Sequence, residues 1–397
     1  MLSMTDSHDR LASELGRARE RSGFSQDEVS LLVGQQRPVI SNWESGERRP
    51  NSQQLTKLAA IYRTPVASLL GGEESSRPDF ERLLFRDAGE RLEPTAKFEI
   101  QRFLAFLEHY GELLAALDEA PGLMEAPLAL REGFISKEDI RRKAEEARAL
   151  LQVGDGPVGD LVGRADLAGI AVYFAPLGAD LKGTVSGAFL PHDRVGFSIL
   201  INVETTPGRR YFTLAHELGH ALFHGDHVYV GYFGRRESTE RFANAFAGEF
   251  LVPSQSLRAA VETIGMKKVT DPEVVIHLQR LFGVSYAMML VRLGAANLAS
   301  ESEIERLRDI QPVYLAERLG YSIEPDEWGQ HAERLGIGRF PRRLLRLLRR
   351  AAAEGRMTVG GAAAMTGLAH EDIEEFLAEQ PATASEAEDY EYLAASA

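Results

Sequence analysis

The chain reads as α+β and mainly helical, with a small antiparallel sheet set between helical regions. Three observations carry that reading. Apolar residues recur at helical spacing through most of the 397 residues. Three short runs rich in β-branched and aromatic residues, at 169–174, 184–189 and 196–202, cluster in the middle. A largely apolar helical stretch just after them carries histidines and a glutamate at fixed spacing. This length predicts more than one core. The divisions read as an all-α N-terminal domain at 8–72, a helical linker at 73–150, a central domain at 151–298 and a C-terminal helical domain at 299–379. The acidic, Ala- and Ser-rich tail at 380–397 is expected to be disordered.

Taken in order, residues 11–21 form a basic amphipathic helix with Leu11, Leu15 and Ala18 on one face. Ser25 is an N-cap, and Glu28 three residues on completes a capping box. That helix runs to Val33, where Gly34 closes it. A second begins at Arg37, with Pro38 in its first turn, and ends at Ser45-Gly46. Two short helices joined by so tight a turn make a helix-turn-helix unit, whose second helix enters the major groove of DNA. Val39, Ile40 and Trp43 are assigned to its core.

Ser25-Gln26-Asp-Glu28, Ile40-Ser41-Asn42-Trp43-Glu44-Ser-Gly46, Arg49-Pro50 and Leu55-x-x-Leu58-Ala59-x-x-Tyr62 together resemble the XRE/Cro-type repressor domain. On that resemblance Gln35, Gln36, Arg37, Ser41 and Asn42 fall to base edges, and Gln26, Arg48 and Arg49 to phosphates of a double-stranded operator. A helical bundle that binds protein is the alternative. Residues 1–72 hold nine Lys and Arg against eight Asp and Glu, while the whole chain carries −14. An acidic remainder repels DNA, so affinity must come from the local basic face and from homodimerisation.

A polar Gly-Gly to Arg-Pro linker at 71–78 closes this domain. The periodic stretch 98–117 has a wide apolar stripe, serving either a dimer contact or burial on the central domain. Residues 131–151 continue as a charged helix. The three β-rich runs are then expected to pair as a small antiparallel sheet, with an edge along which an extended peptide could add.

Thr213-Leu-Ala-His216-Glu217-Leu-Gly-His220 holds an H-E-x-x-H pattern. On a helix His216 and His220 lie one turn apart on one face, so both imidazoles can bind one ion. Zn²⁺ held by two His and a carboxylate keeps a position open for water and lowers the pKa of that water to about 7. Glu217 is the candidate general base. Apolar flanks make this a buried helix, and buried histidines need partners such as a metal. Phe223 stands where a metzincin needs glycine, which removes that class. His224 and His227 are assigned to supporting or surface roles, and Asp226 keeps a small claim as ligand.

A second helix offers Glu240 and Asn244, four residues apart on its more polar face. Glu240 would complete a His₂Glu set, and Asn244 would accept the free N–H of a ligating histidine. Glu237 and Glu249 are the fallbacks. Arg209, Arg210 and Tyr211 are candidates for substrate contact.

Residues 155–295 resemble the ImmA/IrrE family of metallopeptidases, a gluzincin-like branch of the zincins. The pieces that carry this are Arg210-Tyr-Phe212-Thr213-Leu-Ala-His216-Glu217-Leu-Gly-His220, Glu240-x-x-Ala243-Asn244-x-Phe246-Ala247 through Pro253, and 282–293. The resemblance implies a zincin-like fold, His216, His220 and Glu240 as metal ligands and Glu217 as general base. It also implies a protein substrate, commonly a helix-turn-helix repressor whose cleavage relieves repression. Zn²⁺ is the natural ion for this set, with Mn²⁺ as the alternative.

Residues 342–350 read as a basic amphipathic helix, and 355–376 as two short helices around a glycine turn. There is no cysteine, which fits a reducing cytoplasm. No 18-residue apolar run exists, so no membrane partner is expected. The reading is a cytoplasmic DNA-binding regulator with a zinc endopeptidase domain, serving stress-response, phage or mobile-element control. The alternatives are a non-proteolytic metal-containing repressor or sensor and a toxin–antitoxin component.

Overall fold

The computed structural model describes residues 4–62, 64, 66–70, 93–128, 136–178, 185–224, 229–230, 237–264, 268–321 and 336–378. The 71–78 linker, the 380–397 tail, Asp226 and His227 lie outside them.

Five helices, Met4–Arg21, Gln26–Val33, Arg37–Ser45, Ser52–Ile61 and Val66–Leu69, pack around Leu15, Ala18, Ile40, Trp43, Leu58 and Tyr62. The capping box of the second helix is complete. Glu28 N–H donates to Ser25 Oγ at 3.2 Å, and Ser25 N–H donates to Glu28 Oε2 at 2.6 Å. Gly34 stops that helix at φ 74°, a left-handed conformation that side chains resist.

The long helix Pro94–Ala116 touches two cores. At its start Lys97, itself buried, donates to Glu28 Oε1 at 2.6 Å and to the Gly23 carbonyl at 3.3 Å. Gln101 donates to the Ser22 carbonyl at 3.0 Å, and Phe98 packs on the first core. Further along, Phe103, Phe106 and Tyr110 join a cluster with Tyr173 and Phe340. The apolar stripe read at 98–117 is therefore used inside the chain.

The sheet has the order β1-β3-β2-β4, with β1 at Ala171–Ala175, β2 at Gly187–His192, β3 at Gly196–Asn202 and β4 at Tyr229–Val230. It is mixed rather than antiparallel: β2 and β3 form a hairpin, but β1 runs parallel to β3, with Ala171 opposite Ser198. β1 thus takes the outer side of β3 instead of pairing with β2, the strand that follows it in the chain. β2 also runs later than the 184–189 run. Pro191 sits opposite Phe197 beside the hairpin turn, where little ladder remains to lose.

Both faces of the sheet are buried, which is why β1 and β3 read as continuous apolar runs. Val172, Phe174, Phe189, Ile199 and Ile201 pack with Leu214, Ala215, Leu218 and Leu222 of the H-E-x-x-H helix. Tyr173, Ala188, Leu190 and Leu200 share the opposite core with Pro94–Ala116 and the C-terminal helices Arg342–Ala353, Val359–Thr366 and His370–Ala378. Each such buried Phe or Leu contributes about 1.5–3 kcal/mol. The result is a sheet held between helical layers.

The arginines of Arg342–Ala353 turn toward the chain's own acceptors. Arg342 pairs with Asp160, Arg343 and Arg350 with Glu119, and Arg346 with Asp166, while Arg349 donates to the Phe376 carbonyl. Among the described residues no single helix is long and apolar enough to cross a membrane.

Candidate active site and nucleic-acid interface

The helix Pro207–Phe223 starts with proline in its first turn, where the missing N–H costs nothing. One face meets β2 and β3, and another meets helix Glu237–Leu251. His216 and His220 stand one turn apart, their Nε2 atoms separated by 3.1 Å. Glu240 crosses from the second helix, placing Oε2 3.4 Å from His216 Nε2 and Oε1 3.2 Å from His220 Nε2. All three residues are buried.

Those distances suit a metal. Two bonds of about 2.0–2.1 Å meeting at a tetrahedral angle put their donor atoms about 3.4 Å apart. Asn244, one turn past Glu240, has Oδ1 3.1 Å from His216 Nδ1. With the His216 Nδ1–H donated there, the lone pair stands on Nε2, the atom that faces His220 and Glu240. Two imidazoles and a carboxylate converging out of water fit a divalent cation of the zinc type.

Two glycines set how closely the elements approach, and sequence reasoning did not single them out. A Cβ on Gly219, between the histidines, would lie 2.8 Å from Phe246 Cδ1 on the second helix. One on Gly187 of β2 would lie 2.5 Å from Thr213 Cγ2 and 3.3 Å from Glu217 Cγ. The only signal for Gly219 in the sequence is its place inside the H-E-x-x-H run. Glu217 is buried, yet it lines a cleft of about 730 Å³ together with His216, Glu240 and Asn244.

The other named residues fall elsewhere. Glu249 accepts from the Ser254 N–H at 2.7 Å and pairs with Arg292, so its carboxylate ties two helices together away from the histidines. Glu237 opens its helix, but its side chain lies outside the described residues. The His224 ring packs 5.3 Å from His220 and edge-on to Phe242 at 5.4 Å. Arg210 is buried, whereas Arg209 lines the cleft and donates to Ser186 Oγ at 3.3 Å.

At the other end of the chain, Gln35, Gln36, Arg37 and Ser41 are exposed at the start and outer face of helix Arg37–Ser45, and Arg48 and Arg49 are exposed just after it. Ile40 and Trp43 are buried. Arg37 lies 3.6 Å from Asp27 at the surface. Asn42 is half-buried, and with its amide oriented nitrogen-inward it donates to Glu47 Oε2 at 3.2 Å and to the Pro38 carbonyl at 3.1 Å. Gln26 donates to Glu44 at 3.0 Å, and Arg19 pairs with the same carboxylate at 2.7 Å. Gln26 thus braces the two helices of the motif.

Comparison with known proteins agrees with both halves. Residues 165–294 match the peptidase M78 family model, described as the IrrE N-terminal-like domain, and residues 15–69 match a helix-turn-helix model. The chain is 35% identical over 108 residues to the radiation response metalloprotease IrrE of Deinococcus radiodurans, a stretch covering 25% of this chain and 30% of that protein. It is 29% identical over 83 residues to the HTH-type transcriptional regulator ImmR of Bacillus subtilis, covering 21% of this chain and 65% of that one. Less than two thirds of either relative's length is matched. The chain thus joins a helix-turn-helix domain to a metallopeptidase-like domain, each similar to part of a known regulator or peptidase.

Proposed function

We propose that this protein is a cytoplasmic transcriptional regulator that binds operator DNA as a homodimer and relieves repression by cleaving a helix-turn-helix repressor with a zinc-dependent endopeptidase site. One observation carries the chemistry. His216, His220 and Glu240 converge at 3.1–3.4 Å with Glu217 beside them on the wall of an open cleft.

His216, His220 and Glu240 would hold the ion, Zn²⁺ by preference and Mn²⁺ as the alternative. Bound there, it supplies Lewis acidity toward a carbonyl and lowers the pKa of water. The Glu217 carboxylate takes the proton of the attacking water and returns it to the departing amine nitrogen, a transfer worth about 10²–10⁴ in rate. Asn244 holds the tautomer and orientation of His216. Glu217 is buried at the wall of the cleft, next to His216.

On the DNA side, Gln35, Gln36, Arg37, Ser41 and Asn42 would meet base edges, and Arg48, Arg49 and Gln26 phosphates. Gln26 would use the carboxamide hydrogen that Glu44 does not take. Placing both activities on one chain brings the peptidase to repressors already bound to DNA.

The reading is tested by incubating the purified chain and Zn²⁺ with helix-turn-helix repressors, with and without operator DNA, and weighing the fragments by mass spectrometry. A discrete cut in a repressor that disappears in Glu217→Gln is expected. Intact repressors under every condition would overturn it.

A further inference from the structure

The long helix Pro94–Ala116 holds its two neighbours in different ways. From Phe103 onward it is aromatic, with Phe103 and Phe106 buried against Tyr173 and Phe340. At its start the contacts with the helix-turn-helix domain are mostly polar. Lys97, 3% exposed, donates to Glu28 and to the Gly23 carbonyl, and Gln101, 1% exposed, donates to the Ser22 carbonyl. Among the described residues the buried Gln101 Oε1 accepts no hydrogen bond, and Phe98, partly buried, is the one apolar side chain beyond Leu69 packed against the core of that domain.

Such a contact can open. Water satisfies the ammonium, carboxylate and carboxamide groups in place of these partners, and it supplies the hydrogen bond that Gln101 Oε1 lacks. A buried ion pair stabilises little relative to its solvated groups, because desolvation offsets the attraction. Polar interfaces between domains of one chain are where relative motion is expected.

The contact also lies where DNA would approach. Ser22 and Gly23 lead into the second helix, and Glu28 stands two residues past Gln26, the proposed phosphate contact. Residues 1–72 are close to neutral, so nearly all of the chain's −14 is carried by the rest of it. Docking at Glu28 therefore brings an acidic body up to the end of the domain proposed to face phosphates. A released domain is still joined through residues 71–92, enough chain to reach on the order of 70 Å when extended. Charges separated by more than about 10 Å are largely screened at about 0.1 M salt.

We propose that Lys97, Phe98 and Gln101 form a latch that docks the helix-turn-helix domain on the acidic body and opposes operator binding, and that DNA opens it. The proposal rests on the DNA-binding reading. DNA binds the released domain more tightly than the docked one, so by linkage it shifts the population toward release. The long helix itself stays with the sheet, because its aromatic half has no such exchange with water.

The chain has no cysteine, so dyes can be placed at Gln53→Cys and Ala149→Cys, both exposed, one on each side of the latch. Energy transfer between them is read in the full chain as a mixed-sequence DNA duplex is added, and affinity for the duplex is read by anisotropy. Two variants open the latch. Lys97→Glu sets a carboxylate against Glu28, and Phe98→Ser removes the apolar contact without a change of charge. Lys137→Glu, at an exposed site, carries the same charge change as Lys97→Glu. In the native chain, duplex is expected to move the transfer toward the value that both variants show without it. Both variants should bind duplex roughly tenfold more tightly, the gain when a state populated at about one part in ten becomes dominant. Added negative charge alone predicts weaker binding, which Lys137→Glu should show.

Duplex bound by the native chain with no change in transfer, and with equal affinity in Lys97→Glu and Phe98→Ser, overturns the latch and leaves the DNA-binding reading standing. Variants that change the transfer but bind duplex more weakly also overturn it, since docking would then support binding. No duplex bound by any form overturns the DNA-binding reading and the latch with it. If Lys97→Glu melts at lower temperature because its site is buried, Phe98→Ser decides.

Discussion

The two candidate sites are built in opposite ways. At the H-E-x-x-H helix His216, Glu217, His220 and Glu240 are buried, His216 is held by Asn244, and Glu240 lies against both histidines. On the helix Arg37–Ser45 the outer residues Gln35, Gln36, Arg37 and Ser41 stand in solvent, Arg37 with only a surface contact to Asp27. A cleavage site must be ordered before its substrate arrives, because misplacement by about an ångström costs rate. A DNA-reading face can form many weak contacts that order on binding, and its affinity comes largely from charge. Substitutions should therefore act as all-or-none events at the first site and as small, additive losses at the second.

The largest contrast is expected from Glu240→Ala. It removes one of three converging donors, so metal affinity measured by competition with a chelator should fall by more than about 100-fold. DNA binding should be unaffected. Tight, stoichiometric metal in this variant would show that another group supplies the third donor.

Gly219→Ala comes next. A methyl group aimed 2.8 Å from the Phe246 ring forces the two helices apart, costing about 1–3 kcal/mol in thermal or urea unfolding. Metal affinity should fall with it, since the histidines and Glu240 sit on opposite sides of that contact. Unchanged stability would mean that Phe246 gives way freely, and the centre would be less rigid than argued.

On the DNA face, Arg48→Ala should weaken operator binding only a few-fold and lower the salt-dependence slope by about 0.9. Repressor cleavage without DNA should be unchanged. A loss of all DNA binding would place Arg48 in a specific contact and blur the contrast between the sites.

The smallest effect concerns neither site. Burial alone would raise the Asp160 carboxyl, but the Gly163 N–H and the Arg342 guanidinium outweigh it and hold its pKa below the usual carboxylate range. A depressed pKa contributes stability above the unfolded value, lost as pH falls through the folded one. Arg342 and Asp160 are half exposed, so the contribution should stay below about 1 kcal/mol. Melts of the native chain and Asp160→Asn should differ near neutral pH and converge in acid.

The same contrast explains what the sequence could disclose. Helical spacing in the sequence puts His216 and His220 on one face and Glu240 beside Asn244, but it left Glu237 and Glu249 as fallback donors, and the resemblance favoured Glu240. The capping box at Ser25 and Glu28 is equally local. The parallel pairing of β1 with β3 was not legible, since strand order is a long-range property that local spacing does not encode. Nor was the role of Gly219, because only the packed second helix shows that Phe246 fills the space a side chain would need.

Periodicity found the stripe on 98–117 without saying what covers it, and the covering aromatics, Tyr173 and Phe340, lie far along the chain. The basic amphipathic helix read at 342–350 spends four of its arginines on Asp160, Asp166 and Glu119 of the same chain. Charge in a sequence shows what a helix can bind, and packing decides whether it is still available.

The most direct test of the central claim is a paired measurement on Glu217→Gln and the native chain: bound zinc per chain, and cleavage of a repressor. The account predicts equal metal in both, with repressor fragments from the native chain and none from Glu217→Gln. Full cleavage by a metal-loaded Glu217→Gln would contradict it.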